Sequence, residues 1–329
     1  MNAILWQENT LSLLDQRKYP EEVWHECVSC RMVADVLKSG AVQGEAILGI
    51  AAGYAYCLAA IAQQDINTFD GKAAIAMLLE SNDSPAIRRA LDRMSKMHED
   101  YRDSPDLMNA LLVQAVSIHR EDVVACRAMN RTGASIIPEE AQVLLLAHGG
   151  IFHTGSHGSA LGSIRSAYRK GKIKNVLLCE SRPASCEAVW HELTTNEIPV
   201  QIVPDHSAAT FMARHATDII IIEGGRVAQN GDLLALTGAY ELAIASYFHS
   251  IPVYATARLS DVDTAIPDGS GFPLEETSFP SFDGAETQTP TFDVIPNYLL
   301  TGFITDKGLI YPDYAENFAN SQGKVASLL

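Results

Sequence analysis

Three stretches of this 329-residue chain hold the residues whose types and spacing suit chemistry. In GGIFHTGSHGSALGSIR, residues 149–165, Thr154, Gly155, Ser156, Gly158 and Ser159 lead from an apolar run into a helical pattern. Small residues there let the backbone approach an anion, and a helix start offers N–H groups without partners of their own. Neither the G-x-G-x-x-G nor the P-loop spacing occurs, so the stretch fits a phosphate cradle and a plain strand-to-helix turn alike. His153 and His157 lie inside it, as ligand contacts or as polar turn residues. The second stretch, CESRP, closes an apolar run with Glu180 and Arg182. That guanidinium can clamp a phosphate or carboxylate, or pair with Glu180. The third, IIIIEGGRVAQNGD, sets Glu223 behind four isoleucines. A carboxylate at the end of a buried strand must be paired, functional, or on the solvent side of the sheet mouth. Arg226, Asn230 and Asp232 follow it, and Asn-Gly-Asp is also an ordinary turn sequence.

The elements that must position these groups fall into two styles. Residues 21 to about 133 read as helical, with GEAILGIAAGYAYCLAAIAQ apolar on most faces and AIRRALDRMSKMHEDY amphipathic. Ahead of them, AILWQENTLSLLDQ carries two apolar runs around Glu8 and Asn9, a hairpin signal. After IPEEA the period changes. Short apolar runs at 142–151, 175–181, 199–205, 218–225 and 252–257 alternate with helical stretches at 158–171, 184–197, 206–215 and 233–249. That alternation predicts a parallel sheet covered on both faces, a Rossmann-like α/β domain over 136–329 behind a hairpin-plus-helical domain over 1–135. DVIPNYLLTGFITDKGLIYP adds a small helix and a last strand, and residues 267–290 form one long loop rich in Pro, Gly and Ser. Ligands of open parallel sheets bind beyond the carboxyl ends of the strands, where all three stretches fall.

Composition narrows the partners. Forty acidic against 24 basic residues give a net charge of -16, which repels polyanions and argues against nucleic acid. A small anion can still bind through local backbone N–H groups. No apolar run is long enough to span a membrane, and the N-terminus has no secretory pattern, so a cytoplasmic location is expected. The six cysteines are sparse, as expected of free thiols in a reducing compartment. Cys27 and Cys30 form a lone C-x-x-C in a predicted helix; without a second ligand pair, no metal is expected, and no cofactor.

Several segments, in order, resemble the methylthioribose-1-phosphate isomerase family over nearly the whole chain: LLDQRKYP, GIAAGYAYCLAA, ALDRM, TGSHGSALGSIR, CESRP, IPVQIVPDHSAA, RVAQNGDLLALTGAYELA and TPTFDVIPNYLLTGFITDKGLIYP. The wider superfamily includes regulatory subunits of translation initiation factor two-B. The resemblance implies a small N-terminal domain, a Rossmann-like C-terminal domain, a homodimer and a pocket for a phosphorylated pentose. It also locates the family's catalytic groups. Matching Thr154-Gly155-Ser156 to the family's His-Cys-Asn-Thr-Gly-Ser stretch puts Phe152 at the cysteine and His153 at the asparagine. Matching Arg226 and NGD puts Gly225 at the aspartate of Gly-Ala-Asp-Arg-Ile, and the lysine that follows falls within Ala235 to Ala239. Cations of the family near Gln43-Gly44-Glu45-Ala46 and Ser84-Pro85 are also replaced.

Moving a carbonyl between adjacent carbons needs groups that shuttle a proton or steady a transferred hydrogen, and Phe and Gly can do neither. Residues two apart in a strand share a face, so Glu223 can aim at the space vacated at Gly225, with His153 or His157 as its partner. The sequence thus supports a diverged enzyme acting on a phosphorylated ribose-like or nucleoside-derived compound, with Gly155, Ser156, Gly158, Ser159, Arg182, Arg226, Asn230 and Asp232 as binding candidates. A non-catalytic regulatory protein and a surviving isomerase are the alternatives.

Overall fold

Glu8 and Asn9 both take left-handed backbone, φ 47° and 61°, and close the turn between β1 (Ile4–Gln7) and β2 (Thr10–Leu14), which pair antiparallel. Two consecutive positive φ values match the twist of the flanking strands. The computed structural model describes residues 2–63, 68–182, 184–274, 276–280 and 285–326. It adds β3 (Trp24–Cys27), which runs antiparallel to β2 with Cys27 against Leu11. The helical reading from residue 21 is therefore corrected at its start, because pairing to a neighbouring strand outweighs a period that four residues are too few to display. Cys27 ends this strand, while Cys30 opens α1 (Cys30–Lys38) behind the Ser29 cap. Burial pushes both thiols up to about 11.

Four further helices follow: α2 (Glu45–Ile61), α3 (Lys72–Ser81), α4 (Pro85–Asp100) and α5 (Leu107–Ile136). The α2 helix is apolar all round and 14 of its 17 residues are buried, as a helix without a polar face must be. The α4 helix buries one stripe, Ala86, Ile87, Ala90, Leu91 and Met94, behind a Ser84 cap and a proline in its first turn.

The remaining strands are β4 (Ala141–Leu146), β5 (Ile173–Glu180), β6 (Val200–Pro204), β7 (Ile219–Ala228), β8 (Leu233–Leu236), β9 (Val253–Thr256), β10 (Val262–Asp263), β11 (Glu276–Pro280), β12 (Glu286–Pro290), β13 (Phe292–Ile295), β14 (Gly302–Thr305) and β15 (Gly308–Ile310). Between and after them lie α6 (Ala160–Tyr168), α7 (Glu187–Thr195), α8 (Ala208–Ala213), α9 (Ala239–His249) and α10 (Tyr314–Ala326). Six strands pair in parallel in the order β14-β9-β7-β4-β5-β6, with β15 antiparallel at one edge. Read from β6, this is the Rossmann strand order 3-2-1-4-5-6, whose direction reverses between β4 and β7. Alternate residues face opposite layers: Val143, Leu145, Leu178, Ile219 and Ile221 enter one core, and Leu144, Leu146, Leu177, Ile220 and Ile222 the other.

Two sequence expectations change here. Leu233–Leu236, predicted as the start of a helix, forms β8 between β7 and β13, and the helix begins only at Ala239. The long loop contains the β11–β12 hairpin, and the small helix near the C-terminus is a single turn, Asn297–Leu299. By its contacts the chain forms two compact units: residues up to Val124 with Ile151–Gly158, and Ala125–Gly150 with residues from Ser159 onward. Eight residues of the connection after β4 therefore pack with the N-terminal hairpin and helices, and the division falls inside α5. Among the described residues no helix is long and apolar enough to cross a membrane.

Candidate functional site

Glu223 lies where the sheet changes direction. The pairing of β4 with β7 ends at Leu146 and Ile222, so Glu223 is the first β7 residue beyond the end of β4, and it sits in register with Thr256 at the end of β9. Its side chain is 9% exposed, and Oε2 accepts from the backbone N–H of His148 at 3.1 Å and of Gly149 at 3.2 Å. The His148 imidazole stands in the same unit, its Nδ1 3.9 Å from Oε2. Burial holds His148 below the usual histidine range, opposed by the Glu223 charge, so the ring is neutral at pH 7. An acceptor-only carboxylate beside a neutral imidazole, which both donates and accepts, can take a proton at one atom and return it at another.

Beside this pair, α6 begins without a side-chain cap. The Ser159 hydroxyl bonds instead with Thr256 Oγ1 at 3.1 Å, so the N-cap side chain does not take the first-turn N–H groups of α6. Through Thr256 this helix start adjoins the strand position of Glu223.

The preceding loop is held by contacts within the first unit. Within the first unit, the Gly155 N–H donates to Asp122 Oδ2 at 2.7 Å and the Gly155 carbonyl accepts from His119 Nε2 at 3.1 Å. A carbonyl can only accept, so Nε2 carries a proton, and Nδ1 shares a hydrogen bond with the Tyr54 hydroxyl at 3.2 Å. A Cβ on Gly155 would stand 2.6 Å from His119 and 2.8 Å from Ile50, so glycine serves close packing there. The Gly158 N–H is taken by Thr154 Oγ1 and the Ser156 carbonyl, and His157 and Gly158 are both left-handed, φ 72° and 63°. The two glycine N–H groups are thus satisfied internally. His153 packs against Gly44, whose Cβ would meet it at 2.5 Å. His153 and His157 belong to the first unit, and His148 and Glu223 to the second. His148 lies inside the apolar run at 142–151, and nothing in the sequence distinguishes it from its neighbours there.

The other binding candidates separate by their partners. Arg182 is largely exposed and pairs with Glu180 at 3.2 Å. Arg226 is held by Asp263 at 2.6 Å and lies over the Phe272 ring. Asn230 and Asp232 bond each other, and the Asp232 carboxylate also accepts from Gly269 N–H, Asn297 N–H and Asn297 Nδ2, which makes it the brace of three loops. Farther along the strand ends, a cavity of about 910 Å³ is lined by Glu180, Arg182, Asp205, His206, Glu241 and Ile244, among others. Burial, then the charges of Glu241, Glu180 and Asp293, push the Asp205 carboxyl up to about 7.

A family model described as the initiation factor 2 subunit family matches residues 41–312. The chain belongs to this family. It is 34% identical to the methylthioribose-1-phosphate isomerase of Desulforamulus reducens, over 97% of this chain and 98% of that protein. Its fold is similar to the crystal structure of 5-methylthioribose 1-phosphate isomerase from Pyrococcus horikoshii OT3, with a TM-score of 0.90, 26% identity, and 98% and 96% of the two chains covered. It is also similar to the delta subunit of translation initiation factor eIF-2B from A. fulgidus, with a TM-score of 0.85, 26% identity, and 98% and 99% covered. In this family member the Phe152 ring is buried edge-on against Tyr19. Gly225 occupies a bulge in β7, where a Cβ would lie 2.9 Å from the Leu234 carbonyl oxygen. Cys179 is fully buried in the core and burial raises its thiol far above the ordinary range, which removes it as a nucleophile.

Proposed function

We propose that this family member binds a phosphorylated ribose-like or nucleoside-derived compound and performs acid–base chemistry other than the aldose–ketose isomerisation named for its relatives. The observation that carries this reading is Glu223 at the strand-order reversal, beside a neutral His148. In this reading Glu223 is the base and His148 returns the proton. The phosphate is held by the N–H groups at the start of α6 with the Ser159 and Thr256 hydroxyls, and Arg182 is the mobile cation. The lack of room for a side chain at Gly225 and the packing of Phe152 support the loss of the family's usual catalytic pair. The protein acts in the cytoplasm as a homodimer.

A second reading, a binding protein without turnover, is favoured by one detail: Glu223 Oε2 already braces two backbone N–H groups. Turnover of a panel of pentose and nucleoside phosphates by wild type and Glu223→Gln, with the melting temperature of each, separates the readings. Loss of about 100-fold or more in kcat at an unchanged KM supports the catalytic assignment. Unchanged kcat rejects Glu223. Wild-type conversion of methylthioribose 1-phosphate to its ketose rejects the altered chemistry, and binding without turnover of any member selects the second reading.

A further inference from the structure

The two backbone N–H groups that hold Glu223 belong to the connection after β4, and that connection is itself held from behind. Gly150, which follows them, is left-handed with φ 48°, and a Cβ there would stand 2.6 Å from Glu192 Oε2 and 3.0 Å from Leu161 Cδ2. A carboxylate from α7 and a leucine from α6 thus press on the Gly150 backbone at a distance that only glycine permits. Glu192 is fixed in turn by Arg165 of α6, whose Nη1 donates to Oε1. The two side chains of this pair are 13% and 10% exposed, and every residue named lies in the second unit. Taking both charges out of water costs about as much as their attraction returns, so such a pair adds little net stability; its use lies in fixing one arrangement of its neighbours. The two oxygens of Glu192 divide that work: Oε1 takes the guanidinium and Oε2 abuts the connection that carries the Glu223 clamp.

We propose that Arg165 and Glu192 are positioning residues that set the backbone of His148 to Gly150 and, through its N–H groups, aim the Glu223 carboxylate. The inference rests on the reading of Glu223 as the base and adds the residues that place it. Oε2 accepts from His148 and Gly149 at 3.1 and 3.2 Å, so any shift of that backbone is passed to the carboxylate. The pair also reaches the other end of the proposed site. Arg165 stands on α6, whose start holds the phosphate in that reading, so its bond to Glu192 fixes the distance between anion and base. A misplacement of about 1 Å, caused far from the reacting atoms, can cost on the order of 100-fold in rate. Neither residue meets the substrate in this reading; both act through the backbone they hold.

Amide hydrogen exchange by NMR on the full chain tests it. Arg165→Met and Glu192→Leu are combined, so that an apolar pair of similar bulk replaces the ions and no lone charge is left buried. Exchange at the His148 and Gly149 N–H groups is expected to quicken at least ~10-fold, while Leu144 and Leu145 in β4 keep wild-type rates. On a pentose or nucleoside phosphate that wild type turns over, kcat should fall ~10- to 100-fold with KM nearly unchanged. Unchanged exchange at the two amides overturns the inference, whatever the turnover. Exchange that quickens equally at Leu144 and Leu145 also overturns it, because the pair then merely supports the fold. Local quickening with kcat unchanged removes the positioning role. Local quickening in a protein whose wild type turns over none of these compounds upholds the hold on the carboxylate and rejects Glu223 as the base. Should the double variant not fold, Glu192→Gln, which keeps the shape and loses the charge, is read by the same two amides against Leu144 and Leu145.

Discussion

Removing one ionisable proton isolates the effect of the acidic cavity on stability. Asp205 is half-buried and its Oδ1 has no hydrogen-bond partner among the described residues, while Oδ2 packs against Gly238. Its carboxyl titrates at about 7 in the folded protein against 3.8 ordinarily. Below pH ~4 the group is protonated in both states. Between pH ~4 and ~7 the unfolded chain releases this proton while the folded chain keeps it, so the folded state binds more protons and its stability falls as pH rises; above ~7 the loss is complete. Each pKa unit corresponds to about 1.4 kcal/mol, and water on the open side of the cavity screens the interaction, so we expect a loss of ~1–2 kcal/mol rather than the full span. Asp205→Asn keeps the shape and removes the titration. Urea unfolding of both proteins at pH 5, 6, 7 and 8 should show wild type losing that amount relative to Asp205→Asn, most of it before pH 7. Parallel pH profiles for the two proteins would refute the reasoning, as would a wild type gaining stability over the range.

Two further outcomes follow from local geometry. Asp122→Ala removes the carboxylate that receives the Gly155 N–H and should cost about 1.5–3 kcal/mol, measured by urea unfolding, with faster proteolysis at 151–158. Gly225→Asp should destabilise by ~1–3 kcal/mol because its Cβ meets the Leu234 carbonyl oxygen, and under the proposed function it should yield no isomerase turnover in a ketose assay.

The parallel sheet was legible because its strands are buried on both faces and therefore read as unbroken apolar runs bounded by polar residues, as in Ile219 to Ile222 before Glu223. The hairpin was legible because Glu8 and Asn9 break two apolar runs at hairpin spacing. Strands β3 and β8 were not, since Trp24–Cys27 and Leu233–Leu236 take their conformation from neighbours distant in sequence, and four residues carry no period. Within the site, Glu223 stood out because a carboxylate behind four isoleucines is costly. His148, His119 and Asp122 gave no such signal: each matters through a backbone atom or side chain that only the fold brings near it. Thr154 and Gly158 were visible as loop chemistry, but a sequence cannot say whether a glycine N–H faces a ligand or a side chain of the same protein.

The segment Ile151–Gly158 has a consequence for how the chain can be cut and made. Helices α2 and α5 present Tyr54, His119 and Asp122 to a piece of polypeptide synthesised some thirty residues after Asp122, so a fragment ending at residue 135 would expose a buried carboxylate and an imidazole to water. On the ribosome, the N-terminal portion can finish its packing only after Gly158 has emerged, by which time β4 is already outside the tunnel. Dissection at the apparent boundary would thus leave His119 and Asp122 without their partner at Gly155, whereas a fragment carried through Gly158 would keep these polar contacts.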